Sequence, residues 1–404
     1  MKSILRLFIL LAFVGYLLSG CSKERNQSSW TDPMIVSREI SIPTIDISKR
    51  EETQVVIAAG TPEIRHGHPN SILMPDGKTM FVIWTVGHGG PCGNLKKSID
   101  GGLTWSDYLP TPDNWKDYSN CPPLYLLKDP KGKERLITYV NRTPYGFKMA
   151  RAYSEDGGDT WTPFEPVLMS DSTDTLQADV MPFTSIVPIN GGKRLLGVTN
   201  MRRPYQGGFT NMLVQSCSED GGLSWDPWRI ILDLDNEFIP CEPEIIRSPD
   251  GMELLMIIRE NNRKYNSWIM TSRNEGRTWS EPFQAPASVT MDRHQACYTP
   301  DGRLVIVGRD VAEKSPCKGH FVAWVGTYDD LAKRREGQYR IKLIHSYKTT
   351  EYPGLSVLPD GTVVAITSLA YRIDENYSIV EARFKLEETD SMFKDKSTWM
   401  KLGE

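Results

Sequence analysis

No CxxC pair occurs anywhere in this chain, although it holds seven cysteines. A structural metal site therefore has no support in the sequence, and Cys92, Cys121, Cys217, Cys241, Cys297 and Cys317, scattered singly, read mostly as buried free thiols. Excess charge of one sign is missing as well. With 47 Lys+Arg against 51 Asp+Glu the chain is near neutral, which argues against a nucleic-acid partner and makes any recognition by charge a local matter. Long apolar runs are confined to the first 20 residues, so no later stretch is suited to span a bilayer. Helical periodicity is not sustained over any long segment either, which leaves short strands and turns to build the fold.

Residues 1–20 stand apart. Lys2 and Arg6 flank an apolar run from Leu7 to Leu18, and the run closes on Leu18-Ser19-Gly20-Cys21. That ending resembles a bacterial lipoprotein signal. It implies cleavage before Cys21, a lipid on Cys21, and an exported protein attached to a membrane of the cell envelope by that lipid. On this reading residues 1–20 are the signal peptide, 21–50 the lipidated N terminus and polar tether, and 51–404 the folded domain.

What is present in quantity is a repeat. Ser218-Glu219-Asp220-Gly221-Gly222-Leu223-Ser224-Trp225 has close copies at Ser98–Trp105 and Ser154–Trp161 and a worn one at Ser272–Trp279, with the tryptophans 56, 64 and 54 residues apart. In each copy Asp or Asn caps a tight turn, Gly supplies positive φ, and Trp buries a large apolar surface, so the octapeptide reads as a hairpin clip rather than a site.

A second repeat lies inside the first. Turn signals at Pro75-Asp76-Gly77, Asp129–Gly132, Asn190-Gly191-Gly192, Pro249-Asp250-Gly251, Pro300-Asp301-Gly302 and Pro359-Asp360-Gly361 each separate two strand-like runs. Six hairpins, each continued by further strands, predict an all-β fold: a six-bladed β-propeller of four-stranded antiparallel blades beginning near His68, Pro122, Met181, Glu242, Gln295 and Tyr352, with Val55–Ala58 closing the ring against the last blade. In such a ring the starts of the first strands and the ends of the second strands share one face, opposite the turns. That face gathers Arg65, His66, His68, His88, Arg202, Glu242, Arg259, His294, Arg309 and Tyr352.

The octapeptides are Asp-boxes, and with the blade pattern they resemble the sialidase (neuraminidase) superfamily over nearly all of the folded chain. The resemblance implies a glycan substrate, no cofactor, a tyrosine nucleophile assisted by a glutamate, an acid/base aspartate, and arginines that hold a sugar carboxylate. Tyr352, in Tyr-Pro-Gly-Leu, resembles the nucleophile; Glu242 resembles its glutamate; Arg259 and Arg309 resemble two of the arginines. Two departures stand out. His68 takes the place of the first arginine, with Arg65 nearby, and the loop Gly87-His88-Gly89-Gly90-Pro91 has no carboxylate where the aspartate belongs.

The chemistry of the residues points the same way. A tyrosine hydroxyl becomes a nucleophile when a carboxylate takes its proton, which pairs Glu242 with Tyr352; histidine works as acid or base near neutral pH, which makes His88 the replacement for the aspartate. Arg65, Arg202, Arg259, Arg309, His68 and His294 are then the candidate substrate-binding groups, and no residue set is assigned to a metal. The expected activity is an exo-acting glycoside hydrolase releasing a terminal anionic sugar. A polysaccharide lyase acting on uronates and a non-catalytic glycan-binding lipoprotein are the alternatives.

Overall fold

Apolar residues occupy both faces of the second strand in each sheet, because each sheet is packed between two others. Along Leu254–Glu260, Leu254, Met256 and Ile258 join the cluster that packs against one neighbouring sheet, while Leu255 and Ile257 join the cluster on the opposite side. Side chains alternate along a strand, so continuous hydrophobicity is what a sheet covered on both sides requires. The same arrangement recurs around the ring, and six main clusters correspond to the six junctions between consecutive sheets.

The computed structural model describes residues 36–144, 146–169, 180–205, 208–234 and 238–400; the segment 1–20 read as a signal peptide, and Cys21, lie outside the described residues. The fold is a six-bladed β-propeller. Blades one to six have first strands His66–Leu73, Leu124–Lys128, Ser185–Ile189, Pro240–Arg247, Met291–Tyr298 and Thr350–Val357. Blades two, three and four hold four strands each. Blade one has three regular strands, and an irregular outer edge bonds to the third through Ser106 N–H to Lys97 O and Leu109 N–H to Leu95 O. Gln54–Ala58 pairs antiparallel with Ser378–Phe384 in blade six, which closes the ring as expected. Thr44–Asp46, inside the stretch read as tether, adds a fifth, parallel strand to blade five.

The Asp-boxes do join blades. Asp220 accepts from the Ser224 and Leu223 N–H groups and from the Ser224 hydroxyl, Ser218 Oγ accepts from Gly222 N–H, and Trp225 is buried. Gly222 sits against the preceding blade: a Cβ there would lie 2.6 Å from both Leu127 Cδ1 and Tyr139 Oη, and Tyr139 donates to its carbonyl at 2.7 Å. Gly102, Gly158 and Gly276 likewise press on Glu381, Phe81 and Leu196, each in the blade before. Glycine is required there by contact as well as by its positive φ.

Candidate active site

One backbone irregularity, repeated in four blades, aims the site. The first strands of blades one, four, five and six each carry a bulge at the same register: two residues, His68-Pro69, Glu242-Pro243, Arg293-His294 and Glu351-Tyr352, stand opposite one on the second strand. His68, Glu242 and Arg293 are held at φ 48°, 47° and 51°. Left-handed backbone is unfavourable for such side chains by about 1 kcal/mol or more, and bulges of this kind redirect a side chain out of the alternating pattern.

These side chains meet at Tyr352. Its hydroxyl donates to Glu242 Oε1, its ring stacks on His68 with centroids 4.4 Å apart, and the Arg293 guanidinium lies over the ring 5.1 Å from its centre. Glu242, 1 % exposed, is held by Arg259 Nη1 at 2.6 Å and by the Asn200 side chain, which accepts from its backbone N–H. Burial favours the neutral acid, but the Arg259 and Arg293 charges and the Tyr352 hydrogen bond prevail and hold Glu242 below the usual carboxylate range. Burial, with the Glu242 charge next to it, pushes the Tyr352 hydroxyl well above its ordinary value. At neutral pH the pair is thus a carboxylate accepting from a phenol.

Behind Glu242 lies a second carboxylate. Asp292 accepts from Arg263 at 2.5 and 2.6 Å and from Arg309 Nε at 2.9 Å, and Arg259 Nε lies 2.9 Å from its Oδ1. Burial opposes its ionisation, yet Arg259, Arg263 and Arg309 together bring it down to about 2. Arg309 also donates to the Thr350 carbonyl.

At the mouth, His68 and His88 share a proton. Gly89 N–H donates to His68 Nδ1, so the neutral ring carries its hydrogen on Nε2 and donates to His88 Nδ1 at 2.9 Å. Burial brings His68 down to about 4, which keeps it neutral. The same His88 nitrogen lies 3.2 Å from Glu351 Oε1. Glu351 also accepts from Arg65 at 2.5 Å and from His68 N–H; burial works against its charge, but His88, His68 and Arg65 bring it down to about 2. His68, His88 and Glu351 converge closely enough to hold a metal ion. The donor set does not fit one, because a ligating histidine donates its other nitrogen to an acceptor, whereas His68 Nδ1 faces an N–H donor.

Glu242, Tyr352, His68, His88 and Arg259 are therefore assembled as the sequence suggested, with Arg65 one contact further out. Three expectations need correction. His294, 0 % exposed, bonds to Ser267 and the Val289 carbonyl between strands, so it faces away from the pocket. His66 is likewise turned inward, accepting from the Trp84 indole. Arg202 stands exposed on the hairpin rising from blade three, with its guanidinium over Phe209. Arg259 and Arg309, at the ends of their strands, both engage Asp292. The residues that sequence reasoning passed over are Glu351, Asp292, Arg293 and Arg263. Glu351 and Arg293 stand directly beside Tyr352 and His294, which were singled out, and the bulges decide which of each pair points to the axis.

A cavity of about 700 Å³ lies elsewhere: it opens between blades five and six and is lined by Lys49, Lys342, His345, Tyr347, Tyr371 and Arg372 among others. None of the groups around Tyr352 lines it.

Comparison with known proteins agrees with this architecture. No curated protein matches the sequence. Among solved structures, a Dyadobacter fermentans protein of unknown function superposes with TM-score 0.61 at 17% identity over 82% of this chain and 97% of that one. A Penicillium chrysogenum α-L-arabinanase complexed with arabinobiose gives 0.59 at 16% over 83% and 98%, and the intramolecular trans-sialidase of Ruminococcus gnavus gives 0.57 at 13% over 82% and 96%. At such identities the likeness is one of fold, and it is the sialidase-like propeller that the repeats implied. The profile of the BNR repeat-like domain matches residues 126–363, more than half of the sequence, and the chain belongs to that family.

Proposed function

We propose that the protein is an exo-acting glycoside hydrolase that releases a terminal anionic sugar through a covalent tyrosyl intermediate. The observation that carries this reading is the Tyr352 hydroxyl donating to a Glu242 carboxylate fixed by Arg259. As Tyr352 Oη attacks the anomeric carbon, its proton passes to Glu242, so the nucleophile is activated without a free phenolate in solution. The departing oxygen needs a proton. His88, with its side chain 65% exposed at the mouth, supplies it from Nε2, while its Nδ1 faces the His68 N–H and lies 3.2 Å from Glu351. Glu351 thereby replaces, from blade six, the carboxylate missing in the loop of blade one. Water then attacks the glycosyl-tyrosine by the reverse sequence, with His88 as base.

An anionic sugar is favoured by the balance of charge. Around the pocket five guanidinium groups, of Arg65, Arg259, Arg263, Arg293 and Arg309, stand against three carboxylates, of Glu242, Asp292 and Glu351. The remaining positive field draws in a carboxylate or sulfate. The relatives named above as arabinanase and trans-sialidase support a sugar ligand, while leaving the sugar open. The deciding experiment is a product screen on sialylated, uronate-containing and sulfated glycans with wild type beside Tyr352→Phe. Released monosaccharide that depends on Tyr352 is expected; an unsaturated product identifies a lyase instead, and binding without product a lectin-like protein.

The lipoprotein leader belongs to the same proposal, since an exported enzyme held at a membrane by Cys21 meets glycans outside the cytoplasm. Mass spectrometry of the mature N terminus tests it: an unmodified Cys21, or an intact residue 1–20 segment, overturns the assignment.

A further inference from the structure

Three blades spend the same strained bulge on one tyrosine. His68 stacks on the Tyr352 ring, Glu242 accepts from its hydroxyl, and Arg293 lies over its ring. The first two have a place in the chemistry already described; the third has none. Arg293 is only 4 % exposed, and among the described residues no hydrogen bond or ion pair engages its guanidinium. The other guanidinium groups nearby are satisfied by carboxylates: Arg259 by Glu242, Arg263 and Arg309 by Asp292, Arg65 by Glu351. A buried cation without a paired acceptor is unfavourable unless its charge acts on something close.

We infer that Arg293 is a positioning residue for Tyr352: its guanidinium, set over the phenol ring, balances the negative charge that the ring acquires as its proton moves to Glu242. The inference rests on the reading of Tyr352 as nucleophile. Before transfer the charge is on Glu242, which Arg259 and Arg293 both stabilise. As the proton leaves Oη for Oε1, the charge moves to the phenol oxygen and into the ring. Arg259 is fixed on the carboxylate and cannot follow it; Arg293, over the ring, is already there. When the bond to the anomeric carbon forms, the ring becomes a neutral aryl ether, Glu242 keeps the proton, and the bond to the departing oxygen breaks as that oxygen takes the proton from His88 and leaves as a neutral alcohol. A cation over an electron-rich face attracts the phenolate more than the phenol. The remaining groups around the ring do not substitute for Arg293: His68 is neutral, and the Cys121 and Cys241 thiols are pushed up by burial and stay protonated.

The test requires no substrate. Difluorotyrosine, a more acidic phenol, is placed at position 352 in the full folded protein, and the fluorine resonance is titrated with pH. In Arg293→Met the midpoint rises by about one pH unit; Arg293→Lys, which keeps the charge, restores most of the difference. Arg293→Gln gives the same rise should the methionine variant fail to fold. Glu242→Gln lowers the midpoint and shows that the probe responds to local charge. An unmoved midpoint in both neutral variants overturns the inference and leaves Arg293 as a contact for substrate alone. Full turnover by Tyr352→Phe, in contrast, overturns the nucleophile reading without touching the titration.

Discussion

Tyr352 of blade six donates its hydroxyl proton to Glu242 of blade four, 110 residues earlier and with a whole blade between them in the chain. Only closure of the ring brings the two together. Because Glu242 is both acceptor of the phenol proton and counter-charge for Arg259, replacing it by Gln removes the base and leaves Arg259 with Asp292 alone. Glu242→Gln should lower kcat on the substrate found in the product screen by roughly a hundredfold to ten-thousandfold. A loss below tenfold would show that the carboxylate only orients the ring.

Glu351→Gln tests the acid. The carboxylate lies 3.2 Å from His88 Nδ1 and also holds Arg65. Its loss should lower kcat by roughly tenfold to a hundredfold with little change in KM. An unchanged kcat would separate Glu351 from the chemistry and return it to holding Arg65.

Asp292 should contribute to acid sensitivity. Its carboxyl is held at about 2 in the fold and titrates near 3.9 in an unfolded chain. The stability this contributes, on the order of 2 kcal/mol, is present above pH ~4 and disappears as pH falls toward ~2. Asp292→Asn should unfold at lower urea at neutral pH and show a shallower dependence on pH across that window. Glu351, also held at about 2, leaves a residual slope. Equal slopes for wild type and variant would remove Asp292 as the source.

Gly158→Ala tests the clip between blades. A Cβ there would stand 2.3 Å from Phe81 Cζ at φ 94°, whereas Gly157, at φ 73°, has nothing within 4 Å. Both variants incur the backbone term of about 1 kcal/mol; only Gly158→Ala adds overpacking of about 1–3 kcal/mol. Denaturant unfolding that ranks the two as equal would mean the Asp-box closes its own hairpin and does not bind blade to blade.

The propeller was legible because its cause is local and repeated. Asp, Gly and Trp at fixed offsets make the same turn wherever they occur, and the spacing of the turns leaves room for one blade. Glu242, Tyr352 and His88 were legible for a related reason, since strand order alone assigns them to one face. Their partners were not. Arg259 and Arg309 are each followed in sequence by an acid, Glu260 and Asp310, yet neighbours on a strand point to opposite faces, and Asp292, in the next blade for Arg259 and on the paired strand for Arg309, takes both. In the pair Arg293-His294 the histidine drew notice as a titratable group, but the bulge turns the arginine to the axis and the histidine into the interior. The carboxylate sought in residues 87–91 comes instead from Glu351, 263 residues after His88. The sequence by itself determined the ring, its register and the face that carries the chemistry, because those follow from periodicities within a single blade. The tertiary structure alone decided which charge meets which, because pairing across an axis depends on ring closure and on bulges that shift a side chain by one place, and neither leaves a periodic trace in the chain.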